Sequence, residues 1–287
     1  MRHVASDSFG RMSLFYKRIN PSGYRNYLDQ IDHREVPFFT LWLGTEDVLD
    51  HAMAGAAHPG YAMTSTADFA AACGALLETL RAKGVVRGVV GNIPDITRFP
   101  YFAEVAPEFL SVENCQASWR PLYLTTHTGE VRVATEQDRI LLPAKEEIGQ
   151  ANGLPGGLGL GPANPLPDDR VLDAEEVAAV RQRIQAYNGV IDSLVDHYNG
   201  LSGQPWLAQV DLYAVFNLVA NGTTEDGLLL SADYLTGGVF GLDGVFLTPR
   251  GNALIANAFI QAINQFDPFK AQIPELQVTA YPGVAFP

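Results

Sequence analysis

The chain has 287 residues, 47% of them hydrophobic, which suffices for one α/β domain with a sizeable core. Its formal net charge of -13, from 19 Lys+Arg against 32 Asp+Glu, argues against a nucleic-acid partner and against anionic lipid surfaces. No window reaches the roughly 18 apolar residues of a membrane span, and Met1-Arg2-His3-Val4 opens no signal peptide. The two cysteines, Cys73 and Cys115, are too few for a disulfide framework and read as small buried apolar groups, with a single bridge between them left open.

Residues 1–35 are polar and aromatic with a turn signal at Asn20-Pro21-Ser22-Gly23, and predict an irregular segment. Val36 to Leu43 is a short apolar run ending at Gly44, which predicts a strand buried on both faces. From Thr66 to Lys83 the apolar residues Phe69, Cys73, Leu76, Leu77 and Leu80 fall at helical spacing, with Gly84 as the stop. Gly88 to Asn92 is a second buried strand, so strand, helix and strand form a parallel βαβ unit.

Between Tyr101 and Ala144 the pattern changes. Leu122–Thr126 and Glu130–Ala134 flank His127-Thr128-Gly129, a hairpin signal that predicts a β-ribbon insertion over 101–144. A Gly/Pro-rich loop follows from Asn152 to Pro167, and its run Gly156–Gly161 lacks the Lys-Ser/Thr of a phosphate loop. A long helix is predicted over 174–199 with Asp173 as N-cap, then a third strand over Trp206–Asp211 and a final helix over Arg250–Phe266. Asn221-Gly222-Thr223 reads as a turn.

Several blocks carry chemistry in their order. Leu242-Asp243-Gly244-Val245-Phe246-Leu247-Thr248-Pro249 opens the last helix. Leu41-Trp42-Leu43-Gly44-Thr45-Glu46-Asp47 closes the first strand. Gly91-Asn92-Ile93-Pro94-Asp95-Ile96-Thr97, Asn164-Pro165-Leu166-Pro167-Asp168 and Tyr281-Pro282-Gly283-Val284 complete the set. Together they resemble the SGNH/GDSL esterase–lipase family in its larger bacterial branch, from about Phe38 onward. The resemblance implies a flavodoxin-like three-layer α/β sandwich and attack of a serine on a carboxylic ester through an acyl-enzyme.

At the essential positions the chain departs from that pattern. The family's closing block is Asp-x-x-His; here Asp243 stands in the aspartate's place and Phe246 in that of the general base, where a benzyl ring can move no proton. In the Gly-x-Asn-Asp block Gly44 and Asp47 match, but Glu46 replaces the asparagine that donates into the oxyanion hole. The nearest text to the opening Gly-Asp-Ser is Ser6-Asp7-Ser8, which makes Ser8 the nucleophile only by string match, because too few residues precede it for the strand such a serine needs. Gly10 and Gly23 are the candidates for the oxyanion glycine. An incomplete member lacking the first central strand is therefore expected, or one in which residues 1–35 repack to fill the gap.

Read from the residues alone, Asp243 is a turn or N-cap residue that starts the last helix, and Asp47 is a structural carboxylate satisfied by backbone N–H groups. Glu46 is either a lone general base or a solvated loop acid. Of the six histidines, His51 and His58 are candidates for the site mouth, and none sits in a zinc-binding pattern. No cofactor and no metal are expected. The expected function is that of an ester-hydrolase homologue with negligible activity, a pseudoenzyme. The alternative is a non-catalytic carbohydrate- or lipid-binding module using Trp42, Tyr61, Tyr234 and Phe246 as stacking surfaces, and a plain interaction domain is the third reading. The partner is then a small-molecule ester, lipid or glycan. The resemblance implies a secreted or cell-surface setting for a full-length member.

Overall fold

A computed structural model describes Arg18 and residues 23–84, 87–113, 116–201 and 205–284. Ser6, Ser8, Gly10 and Cys115 lie outside the described residues. The first described elements are helix α1 (Tyr27–Asp32), strand β1 (Phe38–Leu41), helices α2 (Glu46–Met53) and α3 (Thr66–Arg81), strand β2 (Arg87–Gly91) and the short helix α4 (Pro100–Ala103). Strands β3 (Glu108–Glu113), β4 (Gln116–Pro121), β5 (Tyr123–Thr125), β6 (Val131–Val133) and β7 (Arg139–Ile140) come next, then helix α5 (Ala144–Glu147), strand β8 (Val171–Leu172) and the long helix α6 (Ala174–Leu201). The chain closes with β9 (Leu207–Val210), α7 (Leu212–Asn221), β10 (Thr223–Glu225), β11 (Leu228–Leu230) and α8 (Pro249–Gln265).

The protein is mixed α/β. Its central element is a three-stranded parallel sheet in the order β1-β2-β9, with Phe39 opposite Gly88 and Val89 opposite Ala208. The βαβ unit expected from the alternation of apolar runs is therefore present as β1-α3-β2. Helices cover both faces. A Cβ on Gly91 would point at Phe259 of α8, whereas one on Gly88, three positions earlier and so on the opposite face, would meet the ring of Phe39. Phe39 in turn lies edge-on to Trp206, and Trp206 to Tyr198 of α6.

Local chemistry explains where the helices start. Ser65 caps α3 by accepting from Asp68 N, and Gly84, at φ +101, ends it. Asp173 caps α6 by accepting from the N–H groups of Glu175 and Glu176, while Glu176 Oε2 accepts from Asp173 N, a reciprocal capping box. Helices α3 and α6 then pack through Phe69 and Tyr187, stacked at 4.0 Å between centroids. Both are fully buried, and the Tyr187 hydroxyl donates to Thr64 O.

Four expectations need correction. Strand β1 is not buried on both faces: Phe38 is 41% exposed and only Leu41 is buried, because β1 pairs with β2 alone and no other described strand meets its outer edge. The segment over 1–35 is not wholly irregular, since Asn26 accepts from Asp29 N and starts α1. The ribbon does not end at 144. Besides the antiparallel pairs β3-β4 and β5-β6, strand β7 pairs with β8 across the Gly-rich loop, and Leu122, Leu124, Ile140, Leu166 and Val171 form a small core of their own. Finally, the N-cap of α8 is Thr248, whose Oγ1 accepts from Gly251 N at 3.0 Å, and not Asp243. Thr248 immediately precedes Pro249 at the first helical position, so it is the residue placed to cap; Asp243 keeps only its turn role. No described helix is long and apolar enough to cross a membrane.

Candidate functional site

The site grows from the end of β1. Gly44 adopts φ +116, and a Cβ there would come within 2.7 Å of Phe69 Cε2 and 2.9 Å of Ile93 Cδ1. Glycine is thus required both by conformation and by space. This turn lets the chain pass directly from strand to helix, so Trp42, Thr45 and Glu46 stand at the carboxyl end of the parallel sheet. In open α/β sheets that end is where ligands bind.

The opposite wall comes from the loop before α8. Asp243 Oδ1 accepts from Val245 N at 2.8 Å and Phe246 N at 2.9 Å, an Asx-type turn that holds the loop. Gly244, at φ +70, lies against the backbone of Tyr101. The result presents Phe246 outward, 66% exposed. Between the walls is a cavity of about 360 Å³ lined by Trp42, Leu49, Phe99, Phe216, Val245 and Phe246, with Gly44, Thr45, Glu46 and Asn252 among its other residues. The indole N–H of Trp42 is buried without an acceptor among the described residues.

Gly44, Glu46 and Phe246, singled out from the sequence, therefore meet at one cavity. Asp47 and Asp243 do not line it. Asp47 is 1% exposed and takes a hydrogen bond from the Thr64 hydroxyl at 2.6 Å, and its field adds to burial in raising the Tyr187 phenol to about 12. Asp243 is bound to its own loop, as the turn reading required. Ser8 lies outside the described residues. Among the aromatics, Trp42 and Phe246 line the cavity, but Tyr61 packs on His58 at 4.7 Å and the Tyr234 hydroxyl donates to Leu242 O. His51 and His58 are likewise absent from the lining; burial holds the His51 imidazole below its ordinary pKa.

No serine, cysteine or histidine lines this cavity among the described residues. The described histidine with a catalytic-looking partner is elsewhere. His127, in the β5-β6 turn, places Nδ1 2.7 Å from Asp173 Oδ2, and its backbone N–H donates to the same oxygen. That hydrogen bond raises the His127 pKa. Its other ring nitrogen faces Glu175 at 3.6 Å, and the adjacent hydroxyls of Thr126 and Thr128 bond each other. A base without a nucleophile to deprotonate is a docking contact, here fastening the hairpin to the start of α6. Among the described residues no group of three or more His, Cys, Asp and Glu is arranged to hold a metal ion.

Sequence reading did not find Leu49, Phe99 or Phe216 as wall residues. Their type is that of any core residue, and they come from α2, from the residue after Ile96–Arg98 and from α7, segments that only the fold brings to one place. Compared with protein-family models, with curated proteins and with solved structures, the chain matches none.

Proposed function

We propose that this chain is a relative of the SGNH/GDSL ester hydrolases, built on a flavodoxin-like sheet, that binds an acyl-type ligand without cleaving it. The observation carrying this reading is the composition of the cavity at the carboxyl end of the strands, lined by both Phe246 and Glu46, the residues that the resemblance sets in the base and oxyanion-donor places. An aromatic and aliphatic wall favours a hydrocarbon chain by about 25 cal/mol for each Å² removed from water. Glu46 gives no N–H to a developing oxyanion, and Phe246 relays no proton.

The test pairs turnover with binding. With p-nitrophenyl butyrate, hydrolysis is expected to stay at the solution background. Titration with a medium-chain monoacylglycerol is expected to change tryptophan fluorescence saturably, and Leu49→Trp, which fills the cavity, is expected to abolish the saturation. Ester turnover that survives purification and follows the protein would refute the non-catalytic reading. Titration with no saturable signal for any acyl ester would refute the binding reading.

A further inference from the structure

A second cavity lies behind the first. The 3₁₀ turn Ile96–Arg98 and helix α7 form a shared wall: Phe99 and Phe216 line the apolar cavity, whereas Arg98 and Ala220 line another of about 200 Å³ together with Thr97, Arg139, Glu104 and Asp233. Its two arginines are held in place by neutral acceptors. Arg98 donates to the side-chain oxygens of Asn217, at 2.8 Å, and Asn221, at 2.6 Å. Arg139 donates from Nε to Thr97 O and from Nη1 to the carbonyls of Glu136 and Asp138. Neither makes an ion pair, and Arg139 Nη2 makes no hydrogen bond within the protein among the described residues.

The other charges facing this cavity are largely matched. Glu104, in its lining, is paired with Lys145 at 2.5 Å, and the nearby Arg181, outside the lining, with Asp95 at 3.1 Å. Asp233 accepts from the Ser231 hydroxyl at 2.6 Å and has no cationic partner among the described residues. Two unpaired guanidiniums against one unpaired carboxylate leave an excess of a single positive charge, in a chain whose formal net charge is -13. Burial first, then repulsion by Arg181 and Arg98, pulls the Arg139 pKa down, opposed by Asp95 and Asp138. No carboxylate among the described residues is in ion-pair contact with this guanidinium.

We propose that this cavity binds a small organic carboxylate bearing a hydroxyl group. The carboxylate supplies the one missing negative charge and accepts the free N–H donors of Arg139 and Arg98 in charge-assisted hydrogen bonds. The hydroxyl donates to Asp233. Ala103, Ala220 and Ala232 leave room for a short carbon skeleton. A dianion such as phosphate exceeds the available charge and meets Asp233 unfavourably. The site is independent of the acyl cavity and of any ester chemistry.

The experiment is titration of the full chain with lactate, followed by calorimetry and by the rise in Tm, with propionate and inorganic phosphate as comparison ligands. Lactate is expected to saturate, to bind more tightly than either comparison ligand, and to weaken as salt is raised. Because Arg139 also supports three backbone carbonyls, the variants are Arg98→Gln, which keeps two donors for the asparagines, and Ala220→Leu, which fills the cavity. Each is expected to weaken lactate by about tenfold or more, the scale of one lost charge-assisted contact. Absence of saturation at tens of millimolar lactate, affinity that survives both variants, or preference for phosphate or propionate would each overturn the proposal.

Discussion

One electrostatic consequence of the fold sits at the start of α6, and Glu176→Gln measures it. Glu176 is raised from 4.5 to about 7, first by burial and then by Asp173 and Asp168, while its hydrogen bond from Asp173 N and the nearby His127 pull the other way. The native state therefore holds this proton more tightly than the unfolded chain does. Stability from this group is fully present below pH 4.5 and is lost as pH rises towards 7, where the folded carboxyl ionises. At about 1.4 kcal/mol per pH unit the gap from 4.5 to 7 gives a ceiling of about 3 kcal/mol. Partial exposure to solvent screens this to about 1 to 2 kcal/mol. Glutamine keeps an oxygen for Asp173 N and removes the titration, so wild type and variant should match at pH 4 and diverge up to pH 7 in the variant's favour, levelling above. His127, whose pKa is raised by Asp173, likewise contributes stability that is present below 6.5 and lost as pH rises through its folded value. It remains in both proteins, so the part they share cancels in the difference. Urea denaturation at four pH values reads the gap. A gap that does not vary with pH, or a wild type more stable than the variant at pH 8, would refute the reasoning.

Two further outcomes follow from geometry. Gly44→Ala should destabilise by about 2 kcal/mol or more, since it combines a left-handed backbone with a Cβ 2.7 Å from Phe69, and should close the acyl cavity's rim as Phe69 shifts; a Tm unchanged within a degree would count against the required glycine. Asp138→Asn should cost about 2 to 4 kcal/mol, because the buried carboxylate takes both nitrogens of Arg132 at 2.7 Å as well as Thr135 N, the Thr135 hydroxyl and Ala174 N. Thermal melts with far-UV circular dichroism would check it, a loss below half a kcal/mol being the contrary result.

Much of the architecture was legible because it is local. Apolar runs bounded by Gly44 and Gly84 mark β1 and α3, and Asp173 as N-cap marks the start of α6. Parallel pairing of β1 with β2 follows from the intervening helix, since a chain that crosses through a helix returns in the same direction. The candidate site was half legible. Gly44, Glu46 and Phe246 stood out by resemblance and meet at one cavity, while the aromatic prospects Tyr61 and Tyr234 turned to other partners.

What composition and spacing determined by themselves was the class of the chain, the starts of α3 and α6 and the identity of the side chains offered at the strand ends. Those depend on residues within a few positions of one another. The tertiary structure decided that β1 lies at an edge among the described strands, that His127 reaches Asp173 across 46 positions, and that Arg98 and Arg139 share one cavity without a directly paired carboxylate among the described residues. Each of these depends on the spatial meeting of distant segments, where burial and field strength are properties of the assembled neighbourhood and of no single stretch of chain.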